Sequence, residues 1–179
     1  MPLTKLWLLF SLASPTAQPH APDSLLPSRL RVDGDTVLLD VRGALERGRP
    51  WQASRLVAPV LADSSRRSAA AVYLAATAAS QWKGWREVGR LLEGEQWLDT
   101  LFNGRGRILL ARSALEARQD SAALVHALAA SPAAEPATDA ERLVLLARAL
   151  ERTGARDSAA ATYRRAAERV PAVADWLWL

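Results

Sequence analysis

Three acidic side chains, Glu93, Glu95 and Asp99, lie close together in the sequence and are the first place to look for chemistry. Glycoside hydrolysis needs two carboxyl groups roughly 5 to 10 Å apart across a sugar-sized cleft. The residues around these three read instead as a charged convex turn, which presents carboxylates to water and not to each other. The two histidines are His20 and His126. His126 stands in an apolar helical run, in the place that Tyr163 holds further along, and so reads as a packed helical residue and not a base. His20 sits in a proline-rich stretch. There is no cysteine, which excludes a thiol nucleophile, a disulfide and a lipoprotein acylation site. No histidine pair has metal-ligand spacing and no glycine-rich phosphate loop follows a strand. Neither catalysis nor a cofactor is expected of this chain.

Aromatic and arginine side chains are the better candidates for contact. Trp51, Trp82, Trp85, Trp97, Trp176 and Trp178 are spread along the chain, and an indole face stacks on sugars, bases and prolines alike. Trp82, Trp85, Trp97 and Phe102 would line one end of a concave groove, or would fill helix–helix contacts, since aromatics bury large areas. Trp51 and Trp85 occupy corresponding places in two successive segments, which favours packing for those two. Gly104-Arg105-Gly106-Arg107 reads as a loop entering a helix, with Arg105 and Arg107 able to meet an anion. The groove contacts expected are therefore Trp82, Trp85, Trp97, Phe102, Arg105 and Arg107.

Helices must position these groups. Half of the chain is hydrophobic, and glycine is sparse. From Ala140 to Val173, Leu143, Leu146, Ala147 and Leu150 recur at three- and four-residue steps, an apolar stripe along one helical face. Gly154 interrupts it. A second helix carries Ala159, Tyr163 and Ala166 or Ala167 on one face, and Pro171 ends it. Upstream, Leu38–Leu61 restarts at Pro50 after Gly48, Val72–Glu93 has the same two-helix shape, and Ile108–Ser131 parallels the last unit. In that parallel, Ala114-Leu115-Glu116 matches Ala149-Leu150-Glu151, and Asp120-Ser121-Ala122-Ala123 matches Asp157-Ser158-Ala159-Ala160, which makes the later turn two residues longer. Two interruptions are visible: an insertion at 94–106 with a short helix of its own, and an alanine- and proline-rich connection at 132–136. Asp33-Gly34 would suit a hairpin, but Thr36 can cap a helix and Val37, Leu38, Val41, Ala44 and Leu45 follow at helical spacing, so a helix over about 36–47 is preferred.

The unit is about 34 residues long, the tetratricopeptide period. It places small residues, Ala147 and Ala159, where two helices cross, large partners, Leu150 and Tyr163, beside them, and a proline, Pro171, at the exit. Helix axes 8 to 10 Å apart leave no room for two large side chains at the crossing. The segment thus resembles a tetratricopeptide repeat, and the resemblance implies an all-α, tetratricopeptide-like α-solenoid of about four helical pairs over residues 36–179. Pro171, Val173, Ala174, Asp175 and Trp176 also resemble a phrase in the N-terminal superhelical region of soluble lytic transglycosylases. That resemblance implies a substrate-positioning part of a peptidoglycan enzyme whose lysozyme-like domain, with its catalytic glutamate, has no match here. The apolar ending, Pro171 to Leu179, suggests that the natural protein, or at least its next packing partner, continues beyond it.

Lys5 followed by the apolar run Leu6 to Leu12 and small residues looks like a secretory signal peptide over 1–17, with a short hydrophobic N-terminus as the alternative. The run is too short for a membrane span, and 18–35 reads as a linker. The location expected is periplasmic or secreted. Lysine and arginine total 23 against 19 acidic residues, a net charge of +4, but both signs are interspersed, so no nucleic-acid partner is expected. The partners expected are a protein or peptide, or a missing C-terminal domain, with peptidoglycan as the further candidate.

Overall fold

The computed structural model describes residues 36–171, and the expected signal peptide, linker, His20 and the 172–179 ending with Trp176 and Trp178 lie outside them. Among the described residues the protein is all-helical. Eight α-helices follow one another: α1 Thr36–Glu46, α2 Pro50–Ala62, α3 Ala69–Gln81, α4 Trp85–Leu92, α5 Arg105–Glu116, α6 Asp120–Ala129, α7 Pro136–Arg152 and α8 Arg156–Arg169. None is long and apolar enough to cross a membrane. The short helix in the 94–106 insertion is a 3-10 helix, Phe102–Gly104, preceded by a run of turns, and α5 already begins at Arg105.

One turn geometry joins α1 to α2, α3 to α4, α5 to α6 and α7 to α8. Its middle residue is left-handed in every case: Gly48 (φ 67°), Lys83 (φ 63°), Arg118 (φ 62°) and Gly154 (φ 87°). The next residue's N–H reaches back to a carbonyl in the preceding helix, Arg49 to Ala44 and Gly84 to Ala79 at 2.8 Å, Gln119 to Ala114 and Ala155 to Leu150 at 2.9 Å. This is the Schellman closure, which satisfies carbonyls that a helix end would otherwise leave open. The four turns fall about 35 residues apart.

These turns fix the alignment of the helices and correct three sequence readings. The α5–α6 and α7–α8 turns are equally long, so the later one carries no two-residue extension. Counted from the left-handed residue, Ala123 matches Ala159 and Ala127 matches Tyr163, which leaves His126 opposite Thr162. The same count shows that Trp85 corresponds to Pro50 and not to Trp51.

With that alignment, Val41, Ala76, Ala111 and Ala147 stand at one position and Ala53, Val88, Ala123 and Ala159 at another, twelve residues later. All eight are at most 3% exposed. Small or short-branched side chains let the helices approach closely without voids or overlap. Every helix packs on its sequence neighbours. In addition α1 touches α3, α3 touches α5 and α5 touches α7, so the odd-numbered helices lie side by side.

Candidate functional site

A cavity of about 300 Å³ opens where α3, α5 and α7 meet. Its floor is apolar, from Ile108 and Leu109, and its walls are polar. On α3, Thr77 donates its hydroxyl to the Tyr73 carbonyl and Ser80 donates to that of Thr77, both at 2.8 Å. This back-bonding satisfies the hydroxyls within the helix and leaves their surfaces facing the cavity. On α5, Arg105 and Arg112 are two turns apart on one face. Arg105 donates to Glu135 at 2.8 Å and to the Thr138 hydroxyl at 2.9 Å. Arg112 donates to Glu141 of α7 at 3.4 Å. Both ion pairs are about half exposed on each side, so each is screened by water, holds weakly and can exchange for another anion. The Glu135 carboxyl is held below its ordinary range by the Thr138 hydroxyl and then by Arg105.

An aromatic cluster forms one end. Tyr73 stacks on Phe102 with ring centroids 4.4 Å apart, and Trp97 meets both rings edge-on, at 6.4 Å to Tyr73 and 5.3 Å to Phe102. Burial pushes the Tyr73 hydroxyl up from its ordinary range despite Arg105 nearby. The cluster holds an unusual backbone: Phe102 (φ 53°), Asn103 (φ 56°) and Gly104 (φ 72°) are all left-handed. Asparagine and glycine accept that conformation, whereas phenylalanine does so only when packing holds it.

Of the expected groove contacts, Arg105 lines the cavity, and Trp97 and Phe102 back its aromatic end through Tyr73. Trp85 does not line it and is partly buried against the core, with the Arg112 guanidinium 5.6 Å above its ring, within cation–π range. Two others do not join it either. Arg107 makes a two-nitrogen ion pair with Asp99, at 2.6 and 3.0 Å, and that carboxylate raises its affinity for the proton. Trp82 stacks on Trp51 at 4.5 Å. Trp51, expected to fill a helix contact, is 63% exposed.

Of the three acidic residues, Glu93 is exposed and the other two are paired. Glu95 receives Arg67 and the Trp97 indole N–H, both at 2.6 Å, and Asp99 holds Arg107. The Gly104-Arg105-Gly106-Arg107 phrase has a packing cause. A Cβ on Gly106 would meet Trp97 at 2.9 Å and Leu98 at 3.0 Å, so the insertion closes over the first turn of α5 only because that residue is glycine. His126 is half-buried, which lowers its pKa, as does Arg107, against the opposing pull of Glu93 and Asp99.

Tyr73, Thr77, Arg112 and Glu141 were not singled out in the sequence. The signal that identifies them is the turn alignment: Tyr73 and Ile108 share one position, Thr77 and Arg112 another, on the helices that lie side by side. Comparison with protein-family models, curated proteins and solved structures finds no match.

Proposed function

We propose that this chain is a tetratricopeptide-like α-solenoid of four helical pairs, a binding module whose groove between α3, α5 and α7 holds an extended segment of a partner protein or companion domain. The observation that carries it is the fourfold return of one turn geometry about 35 residues apart, near the repeat period of such proteins. Stacking of that kind gathers alternate helices on one face and generates a concave surface. The lining suits a peptide: hydroxyls and exchangeable ion pairs for its polar groups, Tyr73, Ile108 and Leu109 for an apolar side chain. Delivery to the periplasm or the exterior belongs to the same reading and rests on residues 1–17. The likeness to lytic transglycosylases rests on Pro171 to Trp176, of which the structure describes Pro171 alone, so the peptide-docking reading is the one advanced.

Selection of binders from a random-peptide library tests it. Recovered peptides should lose binding to Thr77→Arg and Leu109→Glu variants and keep it on Arg164→Ala, a surface change on α8. Binders indifferent to both groove variants, or no binders at all, would overturn the reading.

A further inference from the structure

A tryptophan that is 63% exposed stands out, because so large an apolar surface is usually mostly covered. One face of Trp51 is covered by Trp82, with rings 4.5 Å apart and tilted by 15°. Trp82 is itself fixed. Its indole N–H donates to the Ser54 hydroxyl at 3.1 Å, and its six-membered ring lies directly over Gly84. The other face of Trp51 is left to solvent on a rigid mount.

That face borders an open crevice of about 420 Å³, flanked by Gln52, Arg55 and Leu56 of the same helix, a volume within the range of small-ligand sites. It shares no residue with the groove of α3, α5 and α7. The chemistry is a flat π surface edged by an amide, which both donates and accepts, and a guanidinium, which donates. Pro59 inside α2 adds to this: it has no N–H to give, so the Arg55 carbonyl lacks its regular helical donor.

We propose that the Trp51 crevice is a saccharide-binding site for a pyranose ring with equatorial substituents. Such a ring has a flat face of axial C–H bonds to lie on the indole and a rim of hydroxyls to meet Gln52 and Arg55. A protein partner would need about 1,200–2,000 Å² of buried surface, and the other exposed large apolar side chains among the described residues, Leu39, Val125 and Leu128, stand on α1 and α6. A cationic ligand would be repelled by Arg55. The inference does not rest on the groove reading, and failure of peptide capture leaves it standing.

Saturation-transfer NMR of the full chain with cellohexaose tests it. Transfer should concentrate on the axial protons of one pyranose face, and affinity should fall about tenfold in Trp51→Ala, the scale of one lost aromatic contact. Gln52→Ala, which keeps the stack, should weaken binding several-fold, with helical content unchanged in both variants by circular dichroism. Absence of transfer from the wild-type chain to the sugar, or transfer undiminished in Trp51→Ala, would overturn the proposal.

Discussion

The ring of Trp82 lies so close over Gly84 that a Cβ there would stand 2.0 Å from its edge. Gly84 has φ −77°, which any residue adopts, so the need for glycine here is one of space alone. Gly84→Ala must displace the indole, breaking its bond to Ser54 and its stack on Trp51. The expected cost is about 1–3 kcal/mol, the usual penalty of overpacking. Thermal unfolding measures it, and a melting temperature equal to wild type would show that the ring moves freely.

Ala147 and Ala159 are fully or almost fully buried, whereas Ala160 is exposed. Ala147→Trp should overfill the helix crossing and cost about 1–3 kcal/mol or more, while Ala160→Trp should be close to neutral. Denaturant titration of the pair checks the alignment of α7 on α8. Equal midpoints for the two variants would contradict it.

Asp139, 2% exposed, accepts from Arg142 at 2.8 Å and from the Ala133 N–H at 3.3 Å, and pairs with Arg169 at the end of α8 at 3.1 Å. Burial alone would raise its pKa, but these partners outweigh it and the net direction is below the ordinary 3.8. A carboxyl depressed in the folded state stabilises above its unfolded pKa, and that contribution is lost as pH falls through the folded one. Stability should therefore decline below about pH 4, with a shallower decline in Asp139→Asn. Asp139→Ala strands the buried Arg142 and should cost about 3–5 kcal/mol at neutral pH. Chemical unfolding across an acid series gives both numbers.

His126 contributes at milder pH. Its folded pKa is lowered by burial and by Arg107, while Glu93 and Asp99 pull the other way. The unfolded chain then binds the proton more readily, so stability falls as pH drops from the ordinary 6.5 through the lowered value. The effect is modest, since the ring is half-buried. His126→Gln should flatten the slope between about pH 7 and 5, measured as melting temperature against pH. An unaltered slope would assign it to other groups.

Much of the helical framework was legible in the sequence because apolar periodicity and the stops at Gly48, Gly154 and Pro171 are strong local signals. The alignment between units was less so. Matching Asp120-Ser121 to Asp157-Ser158 followed letters, yet Asp120 is the first residue of α6 and Asp157 the second of α8. In alanine-rich helices identical letters carry little positional information, whereas a left-handed turn fixes position to the residue. Two of the four such residues are Lys83 and Arg118, which do not announce themselves. The groove was legible in part: Arg105 and the Trp97–Phe102 neighbourhood were seen, but Tyr73, on α3, joins them through its stack on Phe102 across the fold. Asp139 went unnoticed because its partner Arg169 is thirty residues away.

The two inner turns also hold unspent thermal margin. Lysine and arginine at φ near 63° sit about 1–2 kcal/mol above their comfortable conformation, and glycine would remove that penalty while adding back about 0.5–1 kcal/mol of chain entropy. Laboratory selection for heat tolerance should accordingly reach Lys83→Gly and Arg118→Gly early, each raising the melting point by a degree or more, with the outer turns, already glycine, offering nothing further.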